Sequence, residues 1–261
     1  MPDWINACLL GLIEGITEFL PISSTGHLLL AEQWLPRKSD LFNVVIQTGA
    51  ALAVMVFFLD RVKQLCLRWN EPETRDYALK LGAAFGITCV GGLILKLLHF
   101  ELPEKAAPVA IALIIGGLLF LMVERSIRHR ALGTVVTWRI AAAIGSSQLL
   151  AAVFPGTSRS GATILIALLL GLDRKSATEF SFLLGIPTLL SAAALQIAES
   201  AHKGELGSVP WGPLAAATLV AAITAFVAVK WLLQFVQSHT FVGFAWYRIL
   251  LGVLVLIAIG S

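Results

Sequence analysis

Residues 14–27 read Glu14-Gly15-Ile16-Thr17-Glu18-Phe19-Leu20-Pro21-Ile22-Ser23-Ser24-Thr25-Gly26-His27, and they interrupt an apolar stretch that runs from about 5 to 34. A second interruption, Pro155-Gly156-Thr157-Ser158-Arg159-Ser160-Gly161, divides the apolar stretch 136–172. In each, proline ends the incoming helix and a Ser or Thr caps the outgoing one. The half-helices are about 10 residues long, half of the ~20 needed to span a bilayer. Each stretch therefore reads as a re-entrant helical hairpin rather than a crossing.

Outward from these breaks lie six uninterrupted apolar stretches, at 41–59, 78–98, 107–123, 177–198, 211–235 and 241–260. Of the 261 residues, 57% are apolar and only 13% charged, and the mean hydropathy is +0.85. Soluble domains carry about 25% charged residues, so a soluble fold is excluded and no length remains for a soluble domain. The formal net charge of +3 is accounted for by short basic loops and gives no reason to expect nucleic acid. Cys8, Cys66 and Cys89 have neither disulfide-framework nor zinc spacing. No cleavable signal peptide is expected, because the N-terminal region lacks a basic residue and glutamates interrupt the first apolar stretch.

Placing Pro21 on Pro155 aligns Ser23 with Thr157, Ser24 with Ser158, and Glu14 with Gln148. Three apolar stretches follow each break. The chain thus reads as one integral membrane domain, 1–261, made of two repeats, about 1–130 and 131–261. Three crossings are an odd number, so the second repeat enters from the opposite side. The expected fold is an all-α polytopic membrane protein with an inverted-topology repeat, two re-entrant hairpins and six transmembrane helices, whose broken helices meet near the midplane.

Loop charges orient it. Arg61, Lys63, Arg68, Arg75, Lys80, Arg125, Arg128, Arg130, Arg174 and Lys175 gather on one side, against Arg37, Lys38, Lys96, Lys105 and Lys203 on the other. The positive-inside rule makes the first side cytoplasmic and puts both termini outside. Trp4, Trp34, Trp138 and Trp211 fall near helix ends, where an interfacial belt belongs.

Arg139, Arg159, Lys230 and Arg248 lie outside the loops. Arg139 and Lys230 can snorkel to an interface; Arg159, in the second break, cannot. A charge at a helix centre costs about 2.5–3.5 kcal/mol on insertion scales, so Glu14, Glu18 and Arg159 need a purpose. A bare structural salt bridge would explain neither the hydroxyls nor the glycines around them. Glu14 and Glu18, four residues apart, face the same way. Two half-helices present free N–H groups and positive dipole ends to one region, and Arg159 adds a planar donor suited to phosphate. Ser24, Ser158, Ser160 and Thr163 supply further donors or nucleophiles. The pattern calls for a phosphate, with a carboxylate as the second choice. Two carboxylates beside it need either a divalent cation or a proton on one of them. His27 is a candidate acid or base.

The motif Glu14–His27 and the motif Pro155-Gly156-Thr157-Ser158-Arg159-Ser160-Gly161-Ala162-Thr163 resemble those of the bacterial undecaprenyl-pyrophosphate phosphatases of the bacitracin-resistance type. The likeness continues at Glu179-Phe180-Ser181-Phe182-Leu183-Leu184 and at Tyr247-Arg248, and covers essentially the whole chain. It implies a multi-pass enzyme of the bacterial inner membrane with inverted repeats, a homodimer being one expected assembly. Such an enzyme removes the terminal phosphate of undecaprenyl diphosphate, regenerating the carrier lipid for peptidoglycan synthesis. Its site opens to the outer, periplasmic face and uses a divalent cation, Mg²⁺ or Ca²⁺. On that reading Arg159 and the amides of Gly156, Thr157, Ser158, Ser160 and Gly161 grip the diphosphate. Glu14 and Glu18 hold the metal, or one of them acts as a base. Ser24 is the first choice of nucleophile, activated by Glu18 or His27; His27 itself, or water, stays open as the attacking group. Ser23 caps the helix or shares that role. Arg248 contacts phosphate or forms a buried pair with Glu179, and Gln47 and Thr48 line the site or bond between helices.

The acid-phosphatase-like lipid phosphatases also use a Ser-Arg pair. Their pattern requires histidine where this chain has Leu165 and starts from an Arg-Pro dipeptide that is absent here. A lipid-phosphate transporter or flippase using the same midplane anion site is the alternative from another functional class.

Overall fold

The structure is a computed structural model and describes residues 3–98 and 106–260; Lys105, counted above among the loop charges, lies outside them. Eleven α-helices make up the described chain: α1 Asp3–Thr17, α2 Ser24–Ala31, α3 Asp40–Phe57, α4 Leu59–Leu67, α5 Pro72–Leu97, α6 Ala106–Ile127, α7 Trp138–Val153, α8 Arg159–Leu169, α9 Arg174–His202, α10 Trp211–Phe235 and α11 Val242–Gly260. Five of them, α3, α5, α6, α9 and α10, are long and apolar enough to cross a membrane. The expected sixth crossing, α11, is an apolar helix of 19 residues, one longer than α3. Sequence reading missed α4. It follows α3 after one residue, and its Arg61 and Lys63 alternate with apolar positions, the composition of a helix lying at an interface. Trp4, Trp34, Trp138 and Trp211 are all exposed.

Both broken stretches are interrupted as expected, although the first helix stops at Thr17 rather than at Pro21. At 1.5 Å per residue α1 and α7 are about 22–24 Å long, and α2 and α8 about 12–17 Å, all short of a ~30 Å hydrocarbon core. Beyond the second break, Gly133 N–H donates to Gly171 O at 2.8 Å and Asp173 N–H donates to Gly133 O at 2.8 Å. The chain entering α7 is thereby joined to the chain leaving α8.

Apolar burial drives little association between helices in lipid, so close backbone approach has to do it. The first helix of each broken pair packs on a helix from the other half of the chain, α1 on α10 and α7 on α5. A side chain at Gly11 would run into the Ala217 carbonyl, and one at Gly145 into the Ala84 carbonyl. Seven residues further along α10 and α5 the sizes exchange: Gly15 leaves room for Thr224, whereas Gly91 leaves room for Leu149. The helices α6 and α11 pack together, and so do α3 and α9. On α5, Gly82 and Gly86 face open space, with nothing within 4 Å of a side chain placed there.

One clamp ties the ends of three helices together. Glu124, 4% exposed, accepts Arg174 Nε–H at 2.9 Å, a second bond from Arg174 Nη2, and Phe241 N–H at 2.9 Å. This assigns Arg174, read above only as a loop charge, to a structural pair.

Candidate active site

The two outgoing helices begin alike. Ser23 (φ 71°) and Ser158 (φ 67°) are the two non-glycine residues with positive φ among those described. Each is the N-cap of its helix: Ser23 Oγ accepts Gly26 N–H at 3.4 Å, and Ser158 Oγ accepts Gly161 N–H at 3.1 Å. Backbone held in this region costs of order 1–3 kcal/mol per residue, so the two bends are imposed by their surroundings. They also correct the alignment proposed from sequence, because Ser23 corresponds to Ser158, not Thr157. The second break holds one more residue after its proline, and Gly156 (φ 92°) takes it up in a conformation that glycine tolerates.

The first residue of α2 is consequently Ser24 and the first residue of α8 is Arg159. Both bond to one carboxylate. Ser24 Oγ–H donates to Glu18 Oε2 at 2.8 Å, and Arg159 Nη2–H donates to Glu18 Oε1 at 3.3 Å. The Arg159 guanidinium lies over the Phe19 ring at 5.3 Å, and its Nε and Nη1 are buried without a partner. Room for it is made by Gly185 of α9, where a side chain would collide with Nη1. These groups open on a cavity of about 250 Å³. Its walls come from Glu18, Ser23, Ser24 and Thr25 on one side of the fold, Gly156, Ser158 and Arg159 on another, and Gln47, Thr88, Gln148 and Thr188 from the surrounding helices. A water needs only about 10–15 Å³ of such volume, so the cavity has room for more than a single water.

A serine hydroxyl on a carboxylate, beside a guanidinium with spare donors and two helix N-termini, is equipped to attack and hold a phosphoryl group. The family model for bacitracin resistance protein BacA matches residues 7–254. This chain belongs to the BacA family. It is 54% identical over 255 residues to a Rhizobium etli protein named undecaprenyl-diphosphatase, covering 97% of this chain and 96% of that one. A protein of the same name from Xanthomonas oryzae pv. oryzae is 50% identical over 258 residues, covering 98% and 97%.

Of the residues singled out in this BacA-family chain, Glu18, Ser23, Ser24, Gln47, Gly156, Ser158 and Arg159 line one cavity. Glu14 is wholly buried, with Glu18 and Gln47 as its polar neighbours, and neither of its carboxylate oxygens makes a hydrogen bond of good geometry. Glu14 and Glu18 are the carboxylates that would hold a divalent cation, and of the two only Glu18 lines the cavity. Among the described residues no cluster of three His, Cys, Asp or Glu side chains exists. A cation here would complete its shell with phosphate oxygens and water, as Mg²⁺ commonly does.

Other expected residues are placed elsewhere. His27 does not line the cavity. Its Nδ1 is 2.8 Å from the Ser23 carbonyl, its Nε2 is 2.7 Å from the Tyr247 hydroxyl, and the two rings stack at 5.5 Å. A carbonyl only accepts, so Nδ1 carries the proton, and His27 holds the carbonyl of the strained cap rather than Ser24. Thr163 returns its hydroxyl to the Arg159 and Ser160 carbonyls, at 2.9 and 3.0 Å. Ser160 Oγ–H donates to Leu20 O at 3.0 Å, joining one break to the other. Thr48 bonds the Val45 carbonyl.

Arg248, expected on phosphate or on Glu179, is not paired with Glu179 and does not line the cavity. It is fully buried, and its guanidinium donates to Pro21 O at 3.1 Å, Gly156 O at 3.3 Å and Thr157 O at 2.9 Å. Longer bonds reach the Leu113 and Ala112 carbonyls, both at 3.4 Å. The breaks free carbonyls that no helix satisfies, and Arg248 takes up those of both. Gly116 and Gly161 leave space for it. Glu179 sits 3.9 Å from Lys175 and lines a different cavity with Arg61 and Tyr77. Sequence reading missed Gly185 and Thr88, which carry no chemical signal of their own, and Gln148, seen only as the counterpart of Glu14.

Proposed function

We infer that this protein is an integral membrane phosphohydrolase that removes the terminal phosphate of undecaprenyl diphosphate and regenerates undecaprenyl phosphate for cell-wall synthesis. The observation that carries the chemistry is the single carboxylate of Glu18, bonded at once to Ser24 and Arg159 at the mouths of two broken helices. Near-full-length identity of 50–54% to proteins named undecaprenyl-diphosphatase favours hydrolysis over transport.

In the mechanism we propose, Ser24 Oγ attacks the terminal phosphorus while Glu18 takes its proton. The bridging P–O bond breaks and undecaprenyl phosphate leaves. Arg159 and the free N–H groups at the starts of α2 and α8 neutralise the charge on the transferring oxygens, which is the main work of phosphoryl-transfer catalysis. Glu18 then loses its proton to solvent, and water attacks the phosphoserine. Glu18 accepts a proton from that water and passes it to Ser24 Oγ, as inorganic phosphate departs. Glu14 and Glu18 would hold a divalent cation, which would offset their charge and polarise the phosphate. His27 with Tyr247, and Arg248, support this work as props of the two bends.

The proposed architecture is an inverted repeat with two re-entrant hairpins. It is supported by the matched caps at Ser23 and Ser158, the crosswise packing of α1 on α10 and α7 on α5, and broken helices too short to cross. The loop-charge asymmetry supports placing both termini outside, and membership of the BacA family supports a bacterial inner membrane with the site opening to the outer face. The open Gly82–Gly86 face of α5 supports a homodimer, since small residues let helices of two copies approach closely.

Phosphate release by purified protein in detergent, where sidedness is lost, tests the function. Release from undecaprenyl diphosphate in the presence of Mg²⁺ or Ca²⁺ is expected. No release with any divalent cation would leave the transporter.

A further inference from the structure

One wall of the cavity has a function that the serine mechanism leaves unassigned. Gln148 is 3% exposed and projects from α7 onto Thr88 of α5, with Gln148 Nε2–H donating to Thr88 Oγ1 at 2.9 Å. Thr88 fixes which way that amide points. Its hydroxyl lies 3.0 Å from the Ala84 carbonyl and 3.0 Å from the Gly145 carbonyl. Carbonyls only accept, so the one hydroxyl hydrogen is spent on them, and Thr88 can offer the amide nothing but a lone pair. The group facing it must be the NH₂, and Oε1 is turned away. Gln148 Oε1 is buried and has no hydrogen-bond partner, although Gln148 and Thr88 both line the cavity that Ser24 and Arg159 open on. The neighbouring Thr188 is no donor for it, because its hydroxyl bonds the Leu184 carbonyl at 2.8 Å.

An unpaired buried amide oxygen is costly unless something donates to it. Ionised phosphate oxygens are acceptors and cannot, and the spare donors of Arg159 are given to that phosphate in the mechanism above. Water can. Resting on the Ser24 mechanism above, we propose that Gln148 Oε1 holds the water that hydrolyses the phosphoserine, with Thr88 as the positioning residue that fixes the amide. The water donates one hydrogen bond to Oε1 and gives its other proton to Glu18. Its oxygen forms the new bond to phosphorus, and the bond from phosphorus to Ser24 Oγ breaks as Oγ receives the proton from Glu18. The proton held by Gln148 stays on the departing phosphate. The first half-reaction, attack by Ser24, has no need of this water. The two halves of the reaction should therefore respond differently to changes at Gln148.

The test is rapid-quench turnover of undecaprenyl diphosphate by the full chain in detergent, following undecaprenyl phosphate, inorganic phosphate and, by mass spectrometry, phosphoserine at Ser24. Gln148→Met keeps the length and removes the acceptor. It should give a burst of about one undecaprenyl phosphate per protein, followed by phosphate release slowed roughly tenfold or more, with phosphoserine accumulating at Ser24. Thr88→Val should show the same pattern more weakly and carries the prediction if Gln148→Met does not fold, while Thr88→Ser should restore wild-type behaviour. If wild-type quenches contain phosphoserine but the variants add none, both phases slowing together or not at all, the assignment of Gln148 is wrong and the serine mechanism stands. A raised divalent-cation requirement without accumulation would likewise overturn it, making Oε1 a cation ligand. Absence of phosphoserine from every sample, wild type included, would remove the serine mechanism and this proposal with it.

Discussion

Replacing Arg248 by methionine separates two jobs that an intramembrane arginine can have, holding phosphate or holding the fold. In the structure three carbonyls within 3.3 Å, those of Pro21, Gly156 and Thr157, depend on its guanidinium. Leaving a buried carbonyl without a partner costs about 1–3 kcal/mol, so the gross loss is roughly 3–9 kcal/mol. Against this, methionine removes a buried charge worth about 2.5–3.5 kcal/mol on insertion scales. The net destabilisation centres near 3 kcal/mol. At about 2–4 °C per kcal/mol for chains of 150–250 residues, the apparent Tm should fall by roughly 6–12 °C. Differential scanning fluorimetry in detergent at a fixed scan rate reads this, and steady-state kinetics on the surviving protein should show a lower kcat with KM nearly unchanged. A Tm within about 2 °C of wild type together with a large rise in KM would refute the reasoning and put Arg248 on the substrate.

Arg159→Ala should fold and extract normally while losing about 10²–10³ in kcat, the scale of removing one preorganised donor from a transition state. Near-normal turnover would take it off the phosphate. Gly185→Ala touches only the movable tip of Arg159, so Tm should change little while phosphate release drops about 10–100-fold, the equivalent of one charge-assisted hydrogen bond at about 1.5–3 kcal/mol. Glu14→Gln should weaken the divalent-cation requirement's apparent affinity by roughly tenfold or more, given that even indirect supports of a metal ligand cost about 10–100-fold, as read by titrating Mg²⁺ or Ca²⁺ after chelation. Gly86→Leu, on the open face of α5, should shift a dimer to monomer in size-exclusion light scattering and leave the per-chain activity unchanged.

The sequence made the two breaks legible because proline, glycine and hydroxyls are out of place in a membrane span, and it made Glu18, Ser24 and Arg159 legible because charge there needs a reason. Direction was not legible. Nothing in Tyr247-Arg248 says that the guanidinium points into the carbonyls of the breaks, nor that His27 turns to Tyr247 instead of Ser24, since each depends on which helix of the other half packs alongside. The extra residue at Gly156 was hidden for a similar reason. Aligning prolines looks natural, but the caps at Ser23 and Ser158 set the register, and only the backbone dihedrals reveal them. Gln148 escaped because a glutamine signals chemistry only once its partner, Thr88, is known.

In the proposed mechanism Ser24 is the group that takes the phosphoryl from the substrate. Phosphate release from undecaprenyl diphosphate by purified Ser24→Ala, with its fold checked by Tm, tests that most directly. The account predicts a loss of at least about 10³-fold, in the range of catalytic nucleophiles elsewhere, with Tm within a few degrees of wild type. Activity within tenfold of wild type would contradict it.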